Sequence, residues 1–193
     1  MNYIGSKLKL CQHFLPETIK SVCGTDLSQK IFCDIFAGTG IVGRTFKTSV
    51  KKVISNDIEY YSYILNKNYI ENHRPLENAE NLVSELNELS LCVDGFIYKN
   101  YCLGGNGERQ YFSDENGKKI DSIRIKIEEW KNTGKINKSM YYFLLASLLE
   151  SADKVANTAS VYGAYLKNLK KSAQKQMILE SADFELNDNE HEV

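Results

Sequence analysis

The sequence predicts an α/β fold: a parallel sheet with crossover helices, interrupted by a long, mainly helical insertion. Three observations predict it. Lys30-Ile31-Phe32-Cys33-Asp34-Ile35-Phe36 and Lys52-Val53-Ile54-Ser55-Asn56-Asp57 are short apolar runs of strand-forming composition. A glycine turn, Ala37-Gly38-Thr39-Gly40, leads from the first run into a helix-length segment before the second, and this alternation is that of parallel strands joined by helices. Beyond Pro75 the alternation stops and helical periodicity takes over.

Each element has a local reason. Leu8, Cys11, Phe14 and Ile19 recur at roughly helical spacing and predict a first helix that ends near Gly24. The strand at 30–36 follows, then a helix from the glycine turn to about Lys47, the strand at 52–57, and a helix from about Glu59 to Tyr69. After Pro75 a helix is expected over Ala79 to Leu89, and residues 94–113 set Gly95, Gly104, Gly105 and Gly107 among aromatics. Ser113 is placed to cap a helix carrying Ile120, Ile123, Ile127 and Trp130, which runs to Gly134. Asn137 is placed to cap the next, which carries Leu144, Leu145, Leu148 and Leu149 and is expected to continue past Val155. The resulting division is 1–74 for the α/β part, 75–178 for the helical insertion and 179–193 for a return segment.

Composition bounds the function. At 193 residues, 42% hydrophobic, with a formal net charge of −1, the chain has the make-up of a globular domain and not of a disordered one. The longest apolar run, Tyr141 to Leu149, is interrupted only by Ser147 and is far short of the ~18 residues of a membrane span. Met1-Asn2-Tyr3-Ile4-Gly5-Ser6-Lys7 has no signal-peptide pattern. The five cysteines form no C-x-x-C pair, and His13, His73 and His191 are dispersed. We therefore expect a cytoplasmic protein with no membrane association, disulfide framework or metal site. Charge is unevenly spread. Residues 180–193 carry six acids and no Lys or Arg, leaving 24 basic against 19 acidic side chains in the remainder. Lys167, Lys170, Lys171 and Lys175 lie in a stretch with no acid between Ala164 and Ile178; such a patch suits a polyanion or, more commonly, forms a solvated face.

Gly38-Thr39-Gly40-Ile41-Val42-Gly43 is formally G-x-G-x-x-G between a strand and a helix, with Asp57 19 residues beyond Gly38. That passes a loose test for dinucleotide binding. Asp34, four residues before Gly38, argues against it, because a carboxylate repels a pyrophosphate. S-adenosylmethionine (AdoMet) carries a sulfonium and an ammonium and no phosphate, so the same carboxylate favours it. Asp57 suits ribose hydroxyls with either cofactor, or a helix N-terminus with none.

Taken together these stretches resemble the Dam-type, α-arranged DNA N6-adenine methyltransferases of restriction-modification systems. Asn2-Tyr3-Ile4-Gly5-Ser6-Lys7 resembles their N-terminal motif, Asp34-Ile35-Phe36-Ala37-Gly38-Thr39-Gly40 the D-x-F-x-G-x-G motif, and Asn56-Asp57-Ile58-Glu59 the acidic strand end. Tyr111 to Gly117, Ala156 to Gly163 and Ala182-Asp183-Phe184 are similar to further segments. The resemblance implies an incomplete Rossmann-like AdoMet-dependent methyltransferase sheet with a target-recognition insertion. Tyr3 and Lys7 would line the AdoMet site. Asp34, Phe36, Ala37, Gly38, Thr39 and Gly40 would hold the methionine end, Asp57 the ribose, and Ile58 the adenine, with Asp183 and Phe184 on its other side. In the insertion, Arg109, Asn157, Tyr162, Lys167, Lys170 and Lys171 are candidates for contact with double-stranded DNA, Arg and Asn reading base edges and Lys holding phosphates. For Asn157 the commoner role of a local hydrogen bonder stands beside that one.

The family's catalytic Asp-Pro-Pro-Tyr orients the adenine amine and stacks the flipped base. The only prolines here are Pro16 and Pro75, so no catalytic residue is assigned, and Glu190-His191-Glu192-Val193 reads as the start of the strand that leads to that motif. The expectation is a fragment, a split-enzyme half or a truncated reading frame, inactive without a complementing C-terminal polypeptide. A non-catalytic DNA-binding remnant and, more weakly, an NAD-binding oxidoreductase fragment are the other classes.

Overall fold

Strands β1 (Ile31–Asp34) and β2 (Lys52–Ser55) pair in parallel, with Phe32 opposite Val53 and Asp34 opposite Ser55. They belong to a computed structural model that describes residues 7–107, 109–159 and 164–193. The chain forms two units, one of residues 7–76 with Asp183–Val193, the other Glu77–Ala182.

In the first unit the pleat of the strands separates two faces. Phe32, Val53 and Ser55 face helix α3 (Ile41–Phe46): Phe32 stacks on Phe46 at 4.9 Å, and Val53, Val42, Phe46 and Ile70 share one core. A Cβ on Gly43 would stand 2.9 Å from Ile70 Cδ1 and 3.3 Å from Val53 Cγ1, so this glycine lets helix and strand approach. On the other face the alternate residues Ile31 and Ile35 are 61% and 56% exposed. Among the described residues β1 has one strand neighbour, β2. On the far side of β2, Glu192 forms a parallel bridge to Ile54, with Ser55 N–H donating to Glu192 O at 2.9 Å and Glu192 N–H to Val53 O at 3.0 Å.

Two helices of this unit differ from expectation. The first is split into α1 (Leu8–Gln12) and α2 (Phe14–Cys23), with His13 at φ −140° between them. Pro16 explains the break: its ring opposes the carbonyl four residues back, whereas the first turn of a new helix tolerates it. Helix α4 (Tyr60–Asn66) runs on through a π-helical turn, Lys67–Glu71, which buries Asn68 and Asn72.

The other unit contains α5 (Ala79–Asn87), α6 (Phe96–Tyr101), α7 (Asp114–Asn132) and α8 (Lys138–Val155). Ser113 Oγ accepts from Asn116 N–H and Asn137 Oδ1 from Met140 N–H, the two expected caps. Ile120, Ile123, Ile127 and Trp130 are buried on α7, which packs on α8. Helix α8 stops at Val155, contrary to the expected continuation. Ala156 is extended and Asn157 N–H bonds to Tyr111 O at 2.7 Å, which takes the backbone out of the helical ladder. Residues 175–182 cross this unit without regular structure, pinned by side chains. Asn116 Oδ1 takes Met177 N–H, Asn87 bonds both N–H and C=O of Leu179, and Ser151 and Ser147 take the amides of Glu180 and Ala182. No described helix is long and apolar enough to cross a membrane.

Candidate functional site

The carboxyl ends of β1 and β2 bring two acids to one glycine turn. Asn56 N–H donates to Asp34 O (2.8 Å) and Ala37 N–H to Asn56 O (3.0 Å), so the chain leaving each strand stays paired with the other. Gly38 and Gly40 adopt φ of 55° and 75°, the left-handed region that glycine enters without a Cβ clash. Asp57 then spans the turn: Oδ2 accepts from Gly38 N–H at 2.8 Å and Oδ1 from Glu59 N–H at 3.0 Å. Burial pushes its carboxyl up, but the Glu59 and Gly38 amides outweigh it and hold the pKa below the ordinary value. Asp34 differs. Its Oδ2 is buried with no hydrogen-bond partner among the described residues, an arrangement that proteins rarely leave unresolved.

From behind, α4 grips the turn. Ser62 Oγ donates to Gly38 O, and Asn66 Nδ2 donates to Gly38 O at 3.1 Å and to Ser62 O at 2.9 Å. On the open side Phe36 is 75% and Ile58 96% exposed, two bare apolar side chains flanking the acids. Ala37 is buried and Thr39 half-buried. Lys7 is half-buried at the N-terminus of α1; Tyr3 lies outside the described residues.

Phe184 lies beside a lysine at the end of α3. Its ring lies 5.5 Å from Lys47 Nζ, and Lys47 caps the end of α3 opposite Gly40, about 10 Å along the helix axis. Asp183 is exposed. Lys47 itself is buried and donates to the carbonyls of Tyr69 (2.9 Å), Asn72 (2.5 Å) and Glu185 (2.9 Å). Burial lowers its pKa to about 8, with Glu185 opposing and Arg44 adding to the shift.

In the unit of Glu77–Ala182, Arg109 is exposed with its guanidinium 5.6 Å from the Tyr101 ring, which meets Tyr111 edge-on, and Tyr111 in turn meets Tyr165. Lys167 and Lys171 are exposed. Lys170 is half-buried with Nζ on Thr158 O at 3.0 Å. Asn157 is fully buried: Nδ2 donates to Gln110 O and Leu166 O, and Oδ1 accepts from Lys170 N–H. The base-reading expectation for Asn157 is thus replaced by a structural one, since these bonds occupy its amide. Tyr162 lies outside the described residues.

The family model for D12 class N6 adenine-specific DNA methyltransferases matches residues 3–193. The chain belongs to that family. It is 63% identical over 193 residues to type II methyltransferase M.NlaIII of Neisseria lactamica, covering 100% of this chain and 57% of the relative. It is 41% identical over 179 residues to type II methyltransferase M.CviAII of Paramecium bursaria Chlorella virus 1, covering 92% and 53%. With type II methyltransferase M.FokI of Planomicrobium okeanokoites the identity is 36% over 200 residues, 95% and 29% covered. The chain thus spans little more than half the length of the first two. No solved structure matches it.

Within this D12-class chain, sequence reasoning missed Ser62, Asn66 and Asp121. The signal for the first two was a polar pair at i, i+4 among Ile64 and Leu65, a spacing that puts both on one helix face. Asp121 is buried in α7 and accepts from the first amides of α6, Ile97 N–H at 2.9 Å and Tyr98 N–H at 2.8 Å. Gly95 is required beside it, since a Cβ there would lie 2.1 Å from its carboxyl carbon.

Proposed function

We propose that this chain is the AdoMet-binding and DNA-recognising portion of a site-specific DNA adenine-N6 methyltransferase, with a Rossmann-like sheet and residues 75–178 as its target-recognition part. The observation that carries the cofactor reading is the buried Asp34 Oδ2 beside the glycine turn, without a partner among the described residues. A cationic methionine end satisfies such an oxygen, whereas a pyrophosphate is repelled by it. Each Asp57 oxygen keeps a free lone pair beyond its amide bond, enough to take ribose hydroxyls. The exposed Phe36 and Ile58 supply apolar surface to the methionine end and the adenine respectively. When bound, AdoMet supplies the methyl group; these residues bind and orient it. Arg109, Lys167 and Lys171 are the exposed candidates for DNA.

The resemblance also assigns the activation of the adenine amine to an Asp-Pro-Pro-Tyr motif, and this chain contains no Pro-Pro. We assign that motif to a part of the enzyme outside these 193 residues, which docks on them. The open edge of β1 and the exposed Ile31 and Ile35 support such docking, because parallel sheets are normally covered on both faces. The test is labelled-methyl transfer to duplex DNA, together with calorimetry against AdoMet and NAD. The chain alone should bind AdoMet and not transfer methyl groups, and transfer should appear when a polypeptide bearing Asp-Pro-Pro-Tyr is added. Hydrogen-bonding and general-base activation contribute about 10²- to 10⁴-fold in rate, so robust turnover by these 193 residues alone overturns that assignment. Preference for NAD overturns the cofactor.

A further inference from the structure

The hold that α4 exerts on Gly38 points to a role beyond packing, one that rests on the reading of the glycine turn as the AdoMet site. Ser62 and Asn66 are fully buried and stand one helical turn apart. Ser62 Oγ and Asn66 Nδ2 both donate to the single carbonyl oxygen of Gly38, while the N–H of Gly38 donates to Asp57 Oδ2 at 2.8 Å. One glycine, at φ 55°, is therefore held at its amide and at its carbonyl by three side chains from the segment that follows β2. Asn66 also closes the turn at its other end. Its Oδ1 is buried with no hydrogen-bond partner among the described residues, and it would lie 2.8 Å from a Cβ placed on Gly40.

We propose that Ser62 and Asn66 are positioning residues for the cofactor, acting through the glycine turn without touching AdoMet. Glycine has the largest backbone freedom of any residue, and a turn built on two of them loses much entropy when a ligand orders it. Holding the Gly38 carbonyl toward α4 fixes that peptide before binding. The same grip fixes Asp57, which is tied to the Gly38 amide. Preorganisation of this kind raises affinity by lowering the cost of ordering.

The experiment is amide hydrogen exchange on the 193-residue chain, with AdoMet calorimetry on the same samples. Ser62→Ala removes one donor and leaves the backbone undisturbed; Asn66→Asp keeps the side-chain shape and removes the donors. In each variant the Gly38 and Gly40 amides should exchange about fivefold faster or more, the scale of one lost hydrogen bond. Val53 in β2 should keep its rate, and AdoMet binding should weaken by about fivefold. If Asn66→Asp does not fold, Ser62→Ala carries the test. Unchanged exchange at the turn in Ser62→Ala overturns the positioning role, as does faster exchange with unchanged AdoMet affinity. A wild-type chain that does not bind AdoMet overturns the cofactor assignment and the cofactor half of this proposal, whereas the exchange rates still decide whether the pair fixes the turn.

Discussion

The two ends of α3 treat polar groups in opposite ways. At the C-terminal end, Lys47 is bonded to three carbonyls, Asn187 and Asn189 donate to the carbonyls of Lys47 and Val50, and His191 Nδ1 accepts from Val53 N–H at 3.0 Å. Apart from His73 Nε2, these polar side chains are bonded within the chain, and several of them fix residues 183–193 to the unit. At the N-terminal end Asp34 keeps a buried oxygen without a partner among the described residues, and Phe36 and Ile58 are exposed. Both ends belong to the same helix and sheet, so local propensity does not separate them. What separates them is whether polar groups are satisfied within the chain. An end that satisfies its own is scaffold; on the function proposed above, the end with an open carboxylate oxygen finds its complement in the cofactor.

The largest expected effect tests the scaffold end. Lys47→Met leaves three carbonyls without their donor and should lower stability by about 3 kcal/mol, read from the urea midpoint, while AdoMet affinity of the folded protein changes little. Loss of affinity without loss of stability would mean that the two ends are not separable. Next, Asp57→Ala should weaken AdoMet binding by about 1.5 to 3 kcal/mol, with a smaller effect on the urea midpoint than Lys47→Met. Equal destabilisation by the two variants would erase the contrast.

The smallest effect is a pH dependence. Burial, with Lys47, His73 and Lys52 nearby, lowers the His191 pKa from 6.5 to about 4. The unfolded chain therefore takes up a proton near pH 6.5 that the folded chain refuses until about pH 4. The contribution of neutral His191 is present above pH 6.5 and lost as pH falls through that window. Between pH 7 and 5 the wild-type chain should lose about 1 to 2 kcal/mol more than His191→Gln, measured by thermal unfolding in matched buffers. Parallel profiles would remove His191 from the scaffold.

Legibility followed the same division. The strands, the glycine turn, Asp34, Asp57 and the caps Ser113 and Asn137 are visible in the sequence because each rests on local chemistry: apolar runs, left-handed glycines, short oxygen-bearing side chains at helix starts. Lys47, Asn66 and Asp121 were not visible, since each works by partners 22 to 138 residues away in the chain and looks like an ordinary solvated residue on its own helix. Asp183 and Phe184 rest on a resemblance to a motif, and the return segment that carries them is held by Lys47. The helix break before Pro16 was legible in principle from proline's missing donor, and the apolar spacing across it concealed it.

The parallel bridge between Ile54 and Glu192 fixes the direction in which this sheet grows. From β1 the chain steps to β2 and then outward again to Glu192, always away from the free edge of β1. Any strand that joins at that free edge reverses the direction and makes β1 a topological switch point, where the connections to either side part and open a crevice at the strand's carboxyl end. Asp34 is the last residue of β1. With a strand docked on the bare edge, Asp34 would stand at the mouth of that crevice, lined by β1 and β2 on one side and by the newcomer on the other.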